Sequence, residues 1–431
     1  MVKWKKVLIA VAILDSVLLL GAIGFYFSTD IPSASSKYVA EREKAVKAGL
    51  TMSLKEYAES MRVDPKENAY EFVEPLLKKA DKVKVGKPGE QWLAPGYETI
   101  KPYLPKLQEA KKKKHCVFPK EYKMAAAVLF PEFSRIKNIV KILSAKATEA
   151  SGNNDLATAR QCWADAGYLA SICKENRTLI GLLVRIACNA IIMDSMRLSL
   201  QDKQGSKEWV DMIDATVAGL EIDPDTRPFL SVEHMFACDV TEVLMRDPKL
   251  LNSFSVMEDP ENPTPKFSPM MLYVRMPGFK EASLARIHES YTAVLADLPQ
   301  DSFDFIATRK AFQHLDDRAE MKGASYLIQN FAVPVFSQVF VATHKQTAQA
   351  ALLQEAVAQI RKRNFDQPEL ILKGNRYTDL DDKPLKIKKV RDGILVYSIT
   401  PDQEDQGGVS RQQATKQGQG AKADFPVLVK K

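Results

Sequence analysis

Glycine is scarce in this chain, with nineteen residues in 431, and histidine and cysteine are scarcer, with five each. So little glycine argues against an all-β protein full of tight turns, and against a nucleotide site built on glycine-rich loops. No Walker loop, dinucleotide fingerprint, zinc-protease motif or Gly-x-Ser-x-Gly elbow occurs in it. Few histidines and cysteines leave little material for a metal or nucleophile site. Apolar residues make up 45% and charged residues 27%. These are ordinary globular values, and they exclude wholesale disorder, a collagen repeat and a polytopic membrane protein.

What the chain does have is one long apolar run near its start. Val7 to Phe27 spans 21 residues, roughly 31 Å as a helix, enough for a hydrocarbon core. Lys3, Lys5 and Lys6 precede it with Trp4, and Phe25, Tyr26 and Phe27 supply the opposite aromatic belt. The reading is a single-pass anchor in the cell membrane, N-terminus cytoplasmic and the bulk of the chain extracytoplasmic. The lipid bilayer is then a partner through residues 7–27. A cleaved signal peptide with Ser33-Ala34-Ser35 as its small-residue site is the alternative. Asp15 lies mid-span, at a cost of about 2.5–3.5 kcal/mol that the surrounding Leu, Ile, Val and Phe outweigh. An intramembrane acid is a functional-site candidate, its partner a polar group on another helix. Ala12 and Ser16 beside it would allow close helix approach.

Export changes the meaning of the net charge of +7. It points to anionic envelope polymers, lipid headgroups or solubility, and no nucleic acid is expected. The densest basic run, Lys111 to Lys114 ending at His115, reads as a solvated helix end.

From Lys37 to about Arg363 the helical period dominates. Lys37–Ala48 and Ser53–Met61 are helices, the second with Ser53 as N-cap. Asp64-Pro65 opens a third with Ala69, Phe72, Val73, Leu76 and Leu77 on its face, and Pro75 should kink it. Pro95 to Pro105 is a loop with a short helical piece. Gly152 suits the C-terminal cap of Phe133–Ala150, and Asn154 or Asp155 caps the next helix. There Leu156, Ala159, Trp163, Ala166, Ala170 and Cys173 make a continuous apolar seam. A second seam, Leu179 to Met193, follows a short polar turn, so the two form an antiparallel hairpin. Helices over Ser206–Leu220, Thr226–Met245, Lys280–Leu298, Phe303–Lys322 and Val335–Arg363 follow. Six prolines between Pro248 and Pro277 interrupt them as an extended arm or lid.

The C-terminal region switches period. Leu385–Ile387 and Ile394–Ile399 are β-rich runs flanking Arg391-Asp392-Gly393, a hairpin signal. Phe425–Val429 is the natural third strand, held to an edge by Pro426, and the sheet should pack on or beside the helix Val335–Arg363. Leu395, Tyr397 and Ile399 share one face of the middle strand, and Val396 the other.

The expected fold is mainly α: a single transmembrane helix, an irregular helical-hairpin bundle or superhelix, and a small C-terminal β sheet. The expected divisions are 1–36 (stub, anchor and linker), 37–246 (helical), 247–280 (proline-rich arm), 281–363 (helical) and 364–431 (β tail with polar loop).

A resemblance rests on particular motifs. Cys116-Val117-Phe118-Pro119, Leu129-Phe130-Pro131 leading into Arg135-Ile136-Lys137, Gly152, Asp155–Ala159 and Asn176–Ala187 are the first group. They resemble a large bacterial family of uncharacterised, N-terminally anchored helical proteins. Lys383-Pro384, Tyr397-Ser398 and Asp402–Gly408 are similar to that family's β tail and to the C-terminal end of pseudopilins. The resemblance implies architecture, and calcium at the acidic loop. The chain departs from pseudopilins in having Thr400-Pro401 after the strand and no prepilin cleavage pattern.

Candidate sites are few. Asp402, Glu404 and Asp405 with nearby carbonyls offer five or six oxygens to calcium; the bland alternative is a solvated acidic turn. His234 and Cys238 stand four apart on one predicted helix, with Asp239 adjacent and Glu233 able to assist a shared metal. The bland alternative is an interior histidine with its hydrogen bonds satisfied. His314 with Asp316 and Asp317 is similar. His288 has only Glu289 beside it, and helix neighbours do not face each other. Cys162–Cys188 is a conceivable bridge across the hairpin, against buried free thiols as the alternative. The expected function is a scaffold or interaction module of the bacterial envelope, binding a protein or an envelope polymer. An envelope-polymer hydrolase or lyase using Glu233, His234 and Asp239 beside the proline-rich arm, and a pseudopilin-like secretion accessory, are the alternatives.

Overall fold

The computed structural model describes residues 33–80, 83, 96–121, 130–220, 222, 225–247, 276–319, 336–363, 365–379, 383–399 and 425–431. The run 7–27 with Asp15, the acidic loop with Asp402, Glu404 and Asp405, and all but the ends of the arm 247–280 lie outside them.

The body is mainly helical. The first helices are α1 (Ala34–Lys47), α2 (Leu54–Ser60), α3 (Tyr70–Ala80), α4 (Tyr97–Ile100) and α5 (Leu104–Ala110). The central group is α6 (Pro131–Gly152), α7 (Leu156–Ser171), α8 (Leu179–Lys203) and α9 (Lys207–Gly219). Then come α10 (Arg227–Arg246), α11 (Phe279–Asp297), α12 (Phe305–Ala319) and α13 (Phe336–Lys362).

Local chemistry sets most of these boundaries. The Ser53 hydroxyl accepts the Glu56 N–H at 3.1 Å and starts α2. The Asp155 carboxylate accepts the Thr158 N–H at 3.0 Å and starts α7. Two expectations are corrected. Asp64 and Pro65 open only a single 3-10 turn, Pro65–Glu67. The helix begins at Tyr70, whose N–H is accepted by the Asn68 carboxamide. The Ala69 N–H pairs instead with the His115 carbonyl at 2.7 Å, a long-range bridge that delays helix entry. α3 then runs through Pro75. At the other junction Gly152 is the last residue of α6, and the left-handed position falls on Asn154 at φ 59°.

Two apolar clusters make the core. The larger joins α3, α5, α6, α7 and α9 to the sheet, and the smaller joins α1, α10, α11 and α12. The two long helices belong to both. Leu179, Leu182 and Ile186 of α8 serve the smaller cluster, and Ile192, Met193, Met196 and Leu200 the larger. In α13, Val339 and Phe340 serve the smaller and Ala350 to Ile360 the larger. Among the described residues only α8 is long and apolar enough to cross a membrane, and 61% of its apolar window is buried inside the fold. That burial is the pattern of a core helix.

The sheet has antiparallel order β1 (Lys386–Val390), β2 (Gly393–Ser398), β3 (Phe425–Lys430), so β3 with Pro426 is an edge. Val390 pairs with Gly393, which leaves Arg391 and Asp392 as the hairpin loop and moves Gly393 into the strand. Ile394, Val396, Val427 and Val429 are fully buried and join the larger cluster with the end of α13. The face carrying Val396 joins the main core, and the other face is also covered, with Tyr397 and Ile399 buried and Leu395 half-buried.

The basic run after α5 is not a free patch. Lys111 pairs with the buried Asp165 at 2.6 Å, Lys112 with Glu109 at 2.8 Å and Lys114 with Glu67 at 3.8 Å. Lys113 donates to the Lys66 carbonyl at 2.7 Å.

Candidate functional site

α10 and α11 lie against each other, and α1 packs along α11. On α10 the seam Leu230, His234 and Cys238 repeats every fourth residue and turns inward, and on α11 the seam Leu284, Ile287, His288, Tyr291 and Val294 does the same. Three potential metal ligands meet where the seams cross. His234 Nε2 lies 2.8 Å from His288 Nδ1, and Cys238 Sγ lies 3.7 Å from His234 Nε2. One donor atom from each of the three falls within 4.8 Å of the others.

All three side chains are buried. Burial lowers the His234 imidazole to about 4 and that of His288 to about 3, the neighbouring His234 and the Arg42 guanidinium adding to the second shift. Both rings are therefore neutral at pH 7. Burial also pushes the Cys238 thiol well up, with Glu242 and Asp239 adding to the effect. His234 Nδ1 meets the Thr51 carbonyl at 3.0 Å. A carbonyl only accepts, so Nδ1 carries the proton and Nε2 presents its lone pair to His288. The Tyr291 ring stands edge-on to His234 at 5.4 Å, and the half-exposed Tyr38 of α1 covers His288 at 5.7 Å.

On the other side of the Thr51 loop a cleft of about 490 Å³ opens, lined by Gly49, Thr51, Glu56, Arg177, Arg227 and Ser231 among others. The Ser231 hydroxyl accepts the Thr51 N–H at 2.9 Å. Helix α10 thus holds both backbone groups of Thr51.

Of the expected pair, His234 and Cys238 do come together. The partner sequence reasoning missed is His288, set aside because its neighbour Glu289 points elsewhere. Its place in the α11 seam was the signal that it faces inward. Glu233 does not join the cluster. Its carboxylate accepts the Leu179 N–H at 2.8 Å at the start of α8, where burial pushes it up to about 7. Asp239 follows Cys238 by one residue and so leaves the helix about 100° away. The three residues of the hydrolase reading do not share one cleft. His314 Nδ1 meets Asp297 at 3.2 Å on an exposed surface, and the side chains of Asp316 and Asp317 lie outside the described residues. All five cysteines are free and buried, so the Cys162–Cys188 bridge does not form.

Comparison with protein families, curated proteins and solved structures finds no match to this chain. The resemblance of residues 115–191 and the β tail to anchored bacterial proteins gains no support there. The chemistry of the residues themselves carries the functional reading.

Proposed function

We propose that this is a single-pass, membrane-anchored helical protein of the bacterial envelope that serves as a scaffold or interaction module. The observation supporting it is how α1 follows the apolar run. Six residues separate Phe27 from Ala34, and α1 is built into the body. Ala34, Glu41 and Ala45 are buried, and Lys37 pairs with Glu289 of α11 at 3.2 Å. An anchor at 7–27 would therefore hold the folded body close to the bilayer surface. The outer side of α1 carries Val39 and Val46, seven residues apart on one stripe and at least half exposed, a surface suited to a partner. Calcium at Asp402, Glu404 and Asp405 would sit on the connection between β2 and β3.

A reporter fused after Ser36 should be active only as an exported marker, and the full chain should resist alkaline extraction from membranes. Recovery as a soluble, N-terminally trimmed chain contradicts the anchor. Crosslinking in native membranes should capture a partner through positions 39 and 46. Calcium should raise the melting temperature over chelator, and an identical melt removes the ion.

A further inference from the structure

We infer that His234, Cys238 and His288 form a binding site for one zinc ion, with His234 Nε2, Cys238 Sγ and His288 Nδ1 as its ligands. This goes beyond the scaffold reading and does not depend on it.

One ligand separation already matches tetrahedral zinc, a second needs a small adjustment, and all three donor atoms lie within 4.8 Å of one another. Tetrahedral zinc at ordinary bond lengths holds nitrogen and sulfur ligands about 3.6 Å apart and two nitrogens about 3.3 Å apart. The Cys238–His234 separation is already 3.7 Å. The two imidazole nitrogens, at 2.8 Å, need to part by about half an ångström. They sit on different helices, so a slight shift of α11 against α10 provides it.

The surroundings have the features that a metal ligand set needs. The Thr51 carbonyl fixes the His234 tautomer and ring orientation, the role that an outer hydrogen bond plays for ligating histidines. Two imidazoles and a thiolate favour zinc over magnesium or calcium, and three protein ligands leave a fourth position for water.

Binding is balanced by one proton. The Cys238 S–H bond breaks, the sulfur binds the ion and the proton goes to solvent. His288 moves its remaining N–H from Nδ1 to Nε2 and stays neutral.

The test uses the full chain without an affinity tag, purified in detergent, reduced and stripped with chelator. Cobalt(II) titration should give one equivalent with a thiolate-to-cobalt charge-transfer band, and one equivalent of zinc should abolish it. Cys238→Ser should remove the band, Cys188→Ser should keep it, and His288→Gln should weaken binding at least about tenfold. X-ray absorption on the zinc-loaded wild type needs no variant, and its first shell should contain one sulfur and two imidazoles. A wild type with no thiolate band, a first shell of nitrogen and oxygen only, or a band undiminished in Cys238→Ser overturns the assignment. The residues are then a buried hydrogen-bonded chain and nothing more.

Discussion

The Tyr57 hydroxyl donates to the Asn176 carbonyl at 2.6 Å and so joins α2 to the turn before α8, across 119 residues of sequence. The same ring stands edge-on to Phe236 of α10 at 5.9 Å. One fully buried side chain thereby braces three elements around the cleft. Tyr57→Phe keeps the ring contacts and removes only the donor. Losing a buried hydrogen bond should cost about 1–2 kcal/mol, read as a lower urea midpoint at unchanged slope. A variant as stable as the wild type would show that the bond contributes nothing.

Glu355 is the second brace. It is buried on α13, and its carboxylate accepts the Ile371 and Leu372 N–H groups at 2.9 Å each and the Gln359 amide at 2.7 Å. Those bonds fold the segment after α13 back onto the helix. Glu355→Ala orphans two backbone donors and should cost about 2–4 kcal/mol. Glu355→Gln, which keeps one acceptor oxygen, should cost less. Equal losses in urea unfolding would mean that the contribution is packing, not acceptance.

Gly393 tests the sheet register. Its φ is 151°, and a Cβ there would stand 1.9 Å from the Val429 carbonyl oxygen. Relief requires β3 to move away from β2. Gly393→Ala should therefore destabilise by about 2 kcal/mol or more, and amide exchange of Val427 and Val429 should accelerate. Unchanged protection of those amides would mean that the strands do not pair in this register.

Sequence reading reached the helices because burial leaves a periodic trace. The seam from Leu156 to Cys173 and the second from Leu179 are visible as spacing, and they fold as α7 and α8. It failed where a distant partner decides. Asp64-Pro65 has the chemistry of a helix start, but the bridge from Ala69 to His115 is made by chain 46 positions away. Alternation in Ile394–Ile399 shows two faces and cannot say which one α13 will cover. Two of the three residues of the candidate site were legible, since His234 and Cys238 are one turn apart on α10. His288 is 54 residues away, and only the packing of α10 on α11 brings it in.

The buried thiols make a prediction about alkaline pH. Burial pushes Cys116, Cys162 and Cys188 from the ordinary 9.0 up to about 12, and Cys173 also upward. Tyr70 and Tyr97 rise from 10.0 to about 12, again mainly through burial. In each case the folded value lies above the unfolded one, so the unfolded chain releases its proton first. The stability these groups contribute is complete below the unfolded value and is lost as pH climbs towards the folded one. Each fully buried thiol should remove up to about 1.4 kcal/mol per pH unit above about pH 9. With reductant present, the urea midpoint should fall steadily between about pH 8 and 10.5. Replacing both Cys116 and Cys188 by Ala should make that fall shallower. A midpoint that holds or rises over this interval, or a slope that the double replacement leaves untouched, would show that these thiols are not held protonated by the fold.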